Sequence, residues 1–340
     1  MTYACPLRCN QYYSESGRRP SRQLGLDDQL AIADQIIKMN PQSVQFSGGE
    51  PLANPRLLEV AKHFVTRGVP VYLYTSGWGL NESTARQITQ LFSKIHISVD
   101  GAEAKLHDWL RGKTGSFDMA MRALSLFNQI SKERIQQSEA PVHFGIDCTV
   151  CRSNFPHLED FCTHILPQFP EIRFINFGAV IPSGLASRQE YAEQELLTIE
   201  QMEKMSCAFF ASHLRALAPA GVKLGLTDNL MLQMHPDKLQ QGKAAEKIIQ
   251  IEPDGHVRGM AIYEGTVGNL LEESVETLLE KVRERPYHPF VVEKLLAVRN
   301  NQDWAAATRV IDWYFGTKAD RTRISKRSAA LSSVSAAKPR

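Results

Sequence analysis

Two cysteines and a tyrosine stand closest to reactive chemistry in this chain. They lie in the run Cys5-Pro6-Leu7-Arg8-Cys9-Asn10-Gln11-Tyr12. The spacing is that of a C-x3-C-x2-C ligand run for an iron–sulfur cluster, with tyrosine at the last ligand position. Iron in such clusters is held by thiolates, soft anions that stabilise ferrous and ferric states alike. A phenol is a poor substitute: it titrates near pKa ~10, its oxygen is hard and its reach is longer. A cluster on Cys5, Cys9 and Tyr12 is therefore expected to be absent, labile or distorted. Taken alone, the cysteine pair reads more simply as two buried thiols.

A second run does not stand alone. Phe46-Ser47-Gly48-Gly49-Glu50-Pro51-Leu52 follows a short strand pattern. Gly48 and Gly49 carry no Cβ, so their backbone can approach a partner closely. Thr75 and Ser76 end the next strand pattern, and Ser98 and Asp100 end the one after. The segment Ile97-Ser98-Val99-Asp100-Gly101 leads into His107-Asp108, Arg111-Gly112 and Gly115-Ser116-Phe117.

Together these motifs resemble the radical S-adenosylmethionine (radical SAM) superfamily, and the later ones its peptide-modifying subgroup. The resemblance implies a 4Fe–4S cluster on three cysteines, with SAM on the open iron. It places Cys5 and Cys9 at the first two ligand positions and Tyr12 at the third. It assigns Gly48, Gly49 and Glu50 to the SAM amino group, and Thr75, Ser76, Ser98 and Asp100 to the ribose and carboxylate. Arg111 would pair with the SAM carboxylate, where a guanidinium fork suits two oxygens; a solvated arginine at a helix end is the equal alternative. His107 reads as structural.

Elements to carry these residues alternate along the chain. Helical periodicity spans Leu26 to Met39, from Asn54-Pro55 to Gly68, Asn81 to Phe92, Ser116 to about Lys132, and near His157 to Leu166. Strand patterns cover Ser43 to Phe46, Val69 to Tyr74, Ile95 to Asp100, Val142 to Val150, and Ile172 to Val180. Met1 to Ala4 is too short for a typical strand of about five residues, so the first strand is expected to be truncated or the recorded start internal to a longer frame. Counting it gives six βα units. The fold class is α/β, matching by resemblance a partial (β/α)6 TIM-like barrel, whose chemistry sits at the C-terminal ends of the strands. Ile181-Pro182-Ser183-Gly184 resembles a barrel-closing loop that touches substrate or adenine.

Farther on, Ile249 to Val257 reads as a hairpin turning at Asp254-Gly255, with a helix from about Ser274 to Arg283. This resembles the small α+β SPASM or twitch extension of maturases of the mycofactocin and pyrroloquinoline quinone kind. Met260 falls where an auxiliary-cluster cysteine is usual, and no cysteine follows Cys207. The expected domains are a core over 1–220, a cysteine-free extension over 221–317, and a disordered basic tail over 318–340. That tail carries seven Lys/Arg and one Asp, so a chain of net charge +2 hides an acidic body.

Composition narrows the classes. The 43% hydrophobic content is globular, no apolar run approaches the ~18 residues of a membrane span, and no signal peptide opens the chain. Six cysteines do not form a disulfide framework, and reducing cytoplasm suits an iron site. Cys148 and Cys151 lie three apart on a strand and so face opposite sides; neither zinc nor a second cluster is expected there. Cys162 and Cys207 sit in helical patterns as core. A nucleic-acid role for the tail is not expected, because no aromatic residue interleaves its charges.

The reading is a radical SAM enzyme by family, cleaving SAM reductively to modify a ribosomally made peptide, with a flavodoxin or ferredoxin as reductant. Its catalysis hangs on Tyr12. The alternative is a silent SAM- or peptide-binding pseudoenzyme on the same scaffold.

Overall fold

The computed structural model describes residues 1–19, 24–244 and 247–327. Six parallel strands form one sheet: β1 (Val44–Phe46), β2 (Val71–Thr75), β3 (Lys94–Ser98), β4 (Phe144–Val150), β5 (Phe174–Ala179) and β6 (Lys223–Thr227). Their spatial order is their chain order, and β1 and β6 each pair with one neighbour, so the sheet is open. In register, Phe46 lies beside Leu73, Leu73 beside Ile95, Ile95 beside Phe144, and Phe174 beside both Gly145 and Lys223.

Alternation builds the core. In β2, Val71, Leu73 and Thr75 are buried while Tyr72 and Tyr74 are not. The buried set packs with Val60, Phe64, Ala85, Ile88, Leu124 and Phe127 from the connecting helices. Those helices include Leu57–Val65, Glu82–Leu91 and Ser116–Gln136. Asn81 caps the second, its side chain accepting from the Thr84 amide at 2.9 Å. The opposite face of the sheet carries Tyr74, His96, Asp147 and Asn176, a polar layer.

The expected first strand survives as a backbone contact. The amides of Gly49 and Glu50 donate to the carbonyls of Thr2 and Ala4 at 2.5 and 2.8 Å. Segment 2–4 thus runs alongside segment 48–50 in the same direction. This contact explains Gly48: its φ is +123°, and a Cβ there would come 2.7 Å from the Thr2 carbonyl oxygen. A Cβ on Gly49 would collide with the Ala4 carbonyl. The glycines accommodate the chain's own backbone.

Two elements differ from the periodicity. The helix near His157 to Leu166 is broken into Leu158–Asp160, a π turn over Phe161–Ile165, and a 3-10 turn over Leu166–Gln168. Pro167 has no amide hydrogen to continue an α-helix. Strand β6 is additional. Its sequence, Lys-Leu-Gly-Leu-Thr, is short and half exposed, and Gly225 weakens the signal because it is present for space: a Cβ there would lie 2.7 Å from Asn176 Oδ1.

Beyond the sheet, β7 (His256–Arg258) and β8 (Thr266–Asn269) pair antiparallel. The helix Val275–Glu284 follows, capped by Ser274. Helices Pro289–Leu296 and Asn301–Phe315 enclose a second core on Trp304, Val291, Leu295 and Ile311. Trp304 Nε1 donates to the Tyr263 hydroxyl at 2.9 Å, and that hydroxyl donates to the Gln233 carbonyl at 2.8 Å.

The expectation of disorder from residue 318 is corrected for the described residues. Lys318–Ser325 is a helix capped by Thr317 and Asp320. Two of the segment's arginines are paired rather than solvated. Arg327 reaches Glu15 at 2.7 Å and Glu264 and Asp312 at 3.2 Å each, and Arg323 meets Glu264 at 2.8 Å and pairs with Glu15. Residues 328–340 lie outside the described residues.

This network titrates. Burial raises the Glu264 carboxyl, but Arg258, Arg323, Arg19 and Arg327 outweigh it and hold it down at about 2. Burial, then the neighbouring Glu264, pushes Asp312 up to about 6. Glu264 therefore contributes stability present above its ordinary 4.5 and lost as the pH falls towards 2. Asp312 acts oppositely, its contribution present below 3.8 and lost as the pH rises through about 6. Denaturation measured across the acid range should show the Glu264→Gln variant losing less stability than the parent below pH 4.5. An identical acid limb in both proteins would contradict the pairing.

Candidate functional site

The helix Ala104–Arg111 ends in carbonyls that need donors. The ligand loop supplies them. Arg8 and Asn10 donate their amides to the carbonyls of Arg111 and Leu110 at 3.0 Å each, and Asn10 Nδ2 donates to Trp109 at 3.0 Å. Gly112, at φ +59°, lets the loop pass; a Cβ there would sit 2.8 Å from the Arg8 carbonyl carbon.

Asp100 joins the loop to the sheet. It has no exposure. Its carboxylate meets Arg111 Nε at 2.7 Å, accepts from Gln11 Nε2 at 2.7 Å, and accepts from the Thr149 amide at 2.9 Å. Its own amide donates to His107 Nδ1 at 3.1 Å, and its carbonyl accepts from Asn154 Nδ2 at 2.8 Å. His107 is structural, as its sequence context suggested. Arg111 is neither solvated nor open: it is buried, paired with Asp100, and close enough to Cys9 to pull that thiol's pKa down.

Each of the Cys5 and Cys9 thiols is near enough to act electrostatically on the Tyr12 phenol. Burial, then the neighbouring Cys9, pushes the Cys5 thiol up to about 12. Burial raises Cys9 too, against the pull of Arg111. Burial likewise raises the Tyr12 phenol, followed by Tyr13 and the two thiols. All three are protonated near neutrality, so a metal would have to displace their protons. The Tyr12 hydroxyl points to the Gly49 carbonyl at 3.4 Å. Among the described residues, no group of three or more His, Cys, Asp or Glu could hold a metal ion. With a phenol at the third position, the donor set is one thiolate short and does not fit a three-cysteine cluster.

Glu50 is saturated. It accepts from Thr75 Oγ1 at 2.5 Å, from the Ser76 amide at 2.8 Å, from the Ser76 hydroxyl, and from the Leu52 amide at 3.2 Å. Burial raises its pKa, and these donors lower it. Glu50, Thr75 and Ser76 thus form one cluster joining the ends of β1 and β2. Ser98 is half-buried at the end of β3, in register with Asp147.

The loop at 181–184 packs on the ligand run: the Leu185 amide donates to the Tyr12 carbonyl at 3.1 Å. Cys148 and Cys151 are buried in two different core clusters, as opposite faces require. Gln11, Thr149, Asn154, Glu15 and Arg327 were not singled out in the sequence, and no local spacing marks them.

Residues 1–137 match the family described as the Radical SAM superfamily. The match covers less than half of the chain. That family is one of enzymes, and it implies a 4Fe–4S cluster and SAM as cofactors. Over 167 residues the chain is 32% identical to a mycofactocin maturase, MftC, of Mycobacterium tuberculosis, covering 48% of this chain and 39% of that protein. Over 205 residues it is 27% identical to an AdoMet-dependent heme synthase of Oleidesulfovibrio alaskensis, covering 57% of this chain and 49% of that one. The chain therefore spans less than half the length of these relatives. Its fold is shared with native anSMEcpe with bound AdoMet (TM-score 0.60, 15% identity, 95% of this chain and 97% of that one). It is shared too with Streptococcus suis SuiB bound to S-adenosylmethionine (TM-score 0.61, 14% identity, 83% and 66%). No described helix is long and apolar enough to cross a membrane.

Removing Asp100 leaves Arg111 buried without its counter-ion. Asp100→Ala is expected to lower stability by about 3–5 kcal/mol, read from urea denaturation, and to raise hydrogen exchange across residues 8–11. A loss under about 1 kcal/mol, within the range of ordinary surface changes, would contradict the central place given to this pair.

Proposed function

We propose that this chain is a SAM- and peptide-binding radical SAM protein on the scaffold of SPASM/twitch-type maturases, in which reductive SAM cleavage awaits the third thiolate that Tyr12 withholds. One observation carries the reading: a phenol stands at the third position of the ligand run, its hydroxyl 3.4 Å from the Gly49 carbonyl, with the Cys5 and Cys9 thiols near enough to act on it. Gly48, Gly49, Glu50, Thr75, Ser76, Ser98 and Asp100 line the strand ends assigned to SAM. Arg111 has a different task from the one its motif suggested. Engaged by Asp100 and Cys9, it holds the ligand loop instead of waiting for a carboxylate.

The substrate is a ribosomally made peptide, supported by the likeness to the mycofactocin maturase. The core would occupy 1–220, with β6 extending its sheet to Thr227, and the cysteine-free extension would run to 317. Met260 is buried in that extension, where an auxiliary ligand would be a thiol. The setting is cytoplasmic, and a flavodoxin or ferredoxin would be the reductant of a cluster-bearing form.

A second reading, an active enzyme with iron on Cys5, Cys9 and a third donor from Tyr12, water or a partner's cysteine, is favoured by one contact. The Arg111 guanidinium on Cys9 would stabilise that thiolate.

Anaerobic reconstitution with iron counting and assay for 5′-deoxyadenosine separates the two. The unaltered chain is expected to retain little iron and form no 5′-deoxyadenosine, while Tyr12→Cys retains about four irons and forms it. Calorimetry should find SAM bound by the iron-free parent. A full cluster and product in the unaltered chain would favour the second reading. No binding of SAM or peptide to the iron-free chain would end the first.

A further inference from the structure

The small sheet has one strand tied towards the ligand loop and one strand open. Arg258 of β7 pairs with buried Glu252, whose carboxylate also accepts from the Tyr3 hydroxyl. Strand β8 pairs with β7 alone. A bulge leaves Val267 outside the ladder, because Val257 faces Gly268 and the next residue, Arg258, faces Thr266. A bulged residue keeps its amide and carbonyl for other partners.

Thr266 and Val267 form one wall of a cavity of about 690 Å³. Lys281, Arg283, Arg285, Tyr287 and His288 also line it, with Glu284 the only carboxylate lining it among the described residues. Lys281 is neutralised by Glu273. Arg283 is exposed and Arg285 lies 4.0 Å over the Phe315 ring; neither has a carboxylate partner among the described residues. Tyr287 is 57% exposed. An open strand with spare main-chain groups, facing two unneutralised guanidinium forks, is complementary to an extended chain that carries carboxylates.

We propose that this cavity docks an extended, acidic segment of a peptide, its main chain along Val267 and its carboxylates on Arg283 and Arg285. The class of occupant rests on the peptide reading given above; the place does not depend on the cluster. Phosphates would also suit the arginines, but only a polypeptide uses the edge of β8. The docked segment would lie one strand from the side of the hairpin anchored to Tyr3.

Fluorescence anisotropy on the full chain tests this with a labelled octapeptide alternating glutamate and valine. Its lysine–valine counterpart and a single-stranded oligonucleotide serve as competitors. The acidic peptide should bind and the basic one should not compete. Arg283→Glu, a surface change, should weaken binding by about tenfold or more. Val267→Pro, which removes the bulge amide, should weaken it also, with circular dichroism checking that the variant folds. Lys62→Glu, on the helix after β1, should leave binding unchanged. Equal binding by the parent and Arg283→Glu would overturn this docking site and leave the peptide reading standing. Displacement by the oligonucleotide at lower concentration than by unlabelled acidic peptide would overturn it in favour of a nucleic-acid surface. If the parent binds no peptide of either charge, the peptide reading fails with it.

Discussion

The site depends on a carboxylate sealed from water. Asp100 has partners from four parts of the chain: Arg111 at a helix end, Gln11 in the ligand loop, the Thr149 amide on β4, and Asn154 just beyond it. An isolated buried charge is costly, and a buried pair is stable only when its remaining lone pairs are also met. That requirement fixes where the loop lies. Arg111 neutralises Asp100, and its charge also acts on the Cys9 thiol. The carbonyls of that helix's last turn position the loop backbone on either side of Cys9. Helix, strand end and loop are held as a unit.

The same logic works from the other side of the loop. Glu15, at φ +54°, is drawn into the cluster of Arg323, Arg327, Glu264 and Asp312. The ligand run is thus clamped between a helix of the barrel and the last helix of the described chain. Such a frame presents residue 12 to Cys5 and Cys9 whatever side chain it bears. The shortfall is one of chemistry: a hard phenol stands where the ligand run calls for a thiolate.

Much of this was legible in the residues. Alternation in Val71 to Thr75 and the proline and asparagine signals at Asn54-Pro55 and Asn81 fix the βα order, and the motifs do fall at successive strand ends. What local pattern could not supply was long-range pairing. Glu15 and Arg327 are separated by 312 residues, and the polar composition after Lys318 reads as solvated until those acids are known to face it. Strand β6 escaped because Gly225 and an exposed face blunt its signal. Arg111 is held by Asp100, eleven residues earlier, a partner that its local motif does not announce. The two glycines were read for a ligand's approach, and what approaches is Thr2 and Ala4.

The central claim is that Tyr12 leaves a three-thiolate ligand run one sulfur short. Mössbauer spectroscopy of the unaltered chain, reconstituted anaerobically with enriched iron, tests it most directly. The account predicts mononuclear or adventitious iron and no 4Fe–4S spectrum. A well-resolved 4Fe–4S spectrum at full occupancy, in a chain still bearing Tyr12, would contradict it.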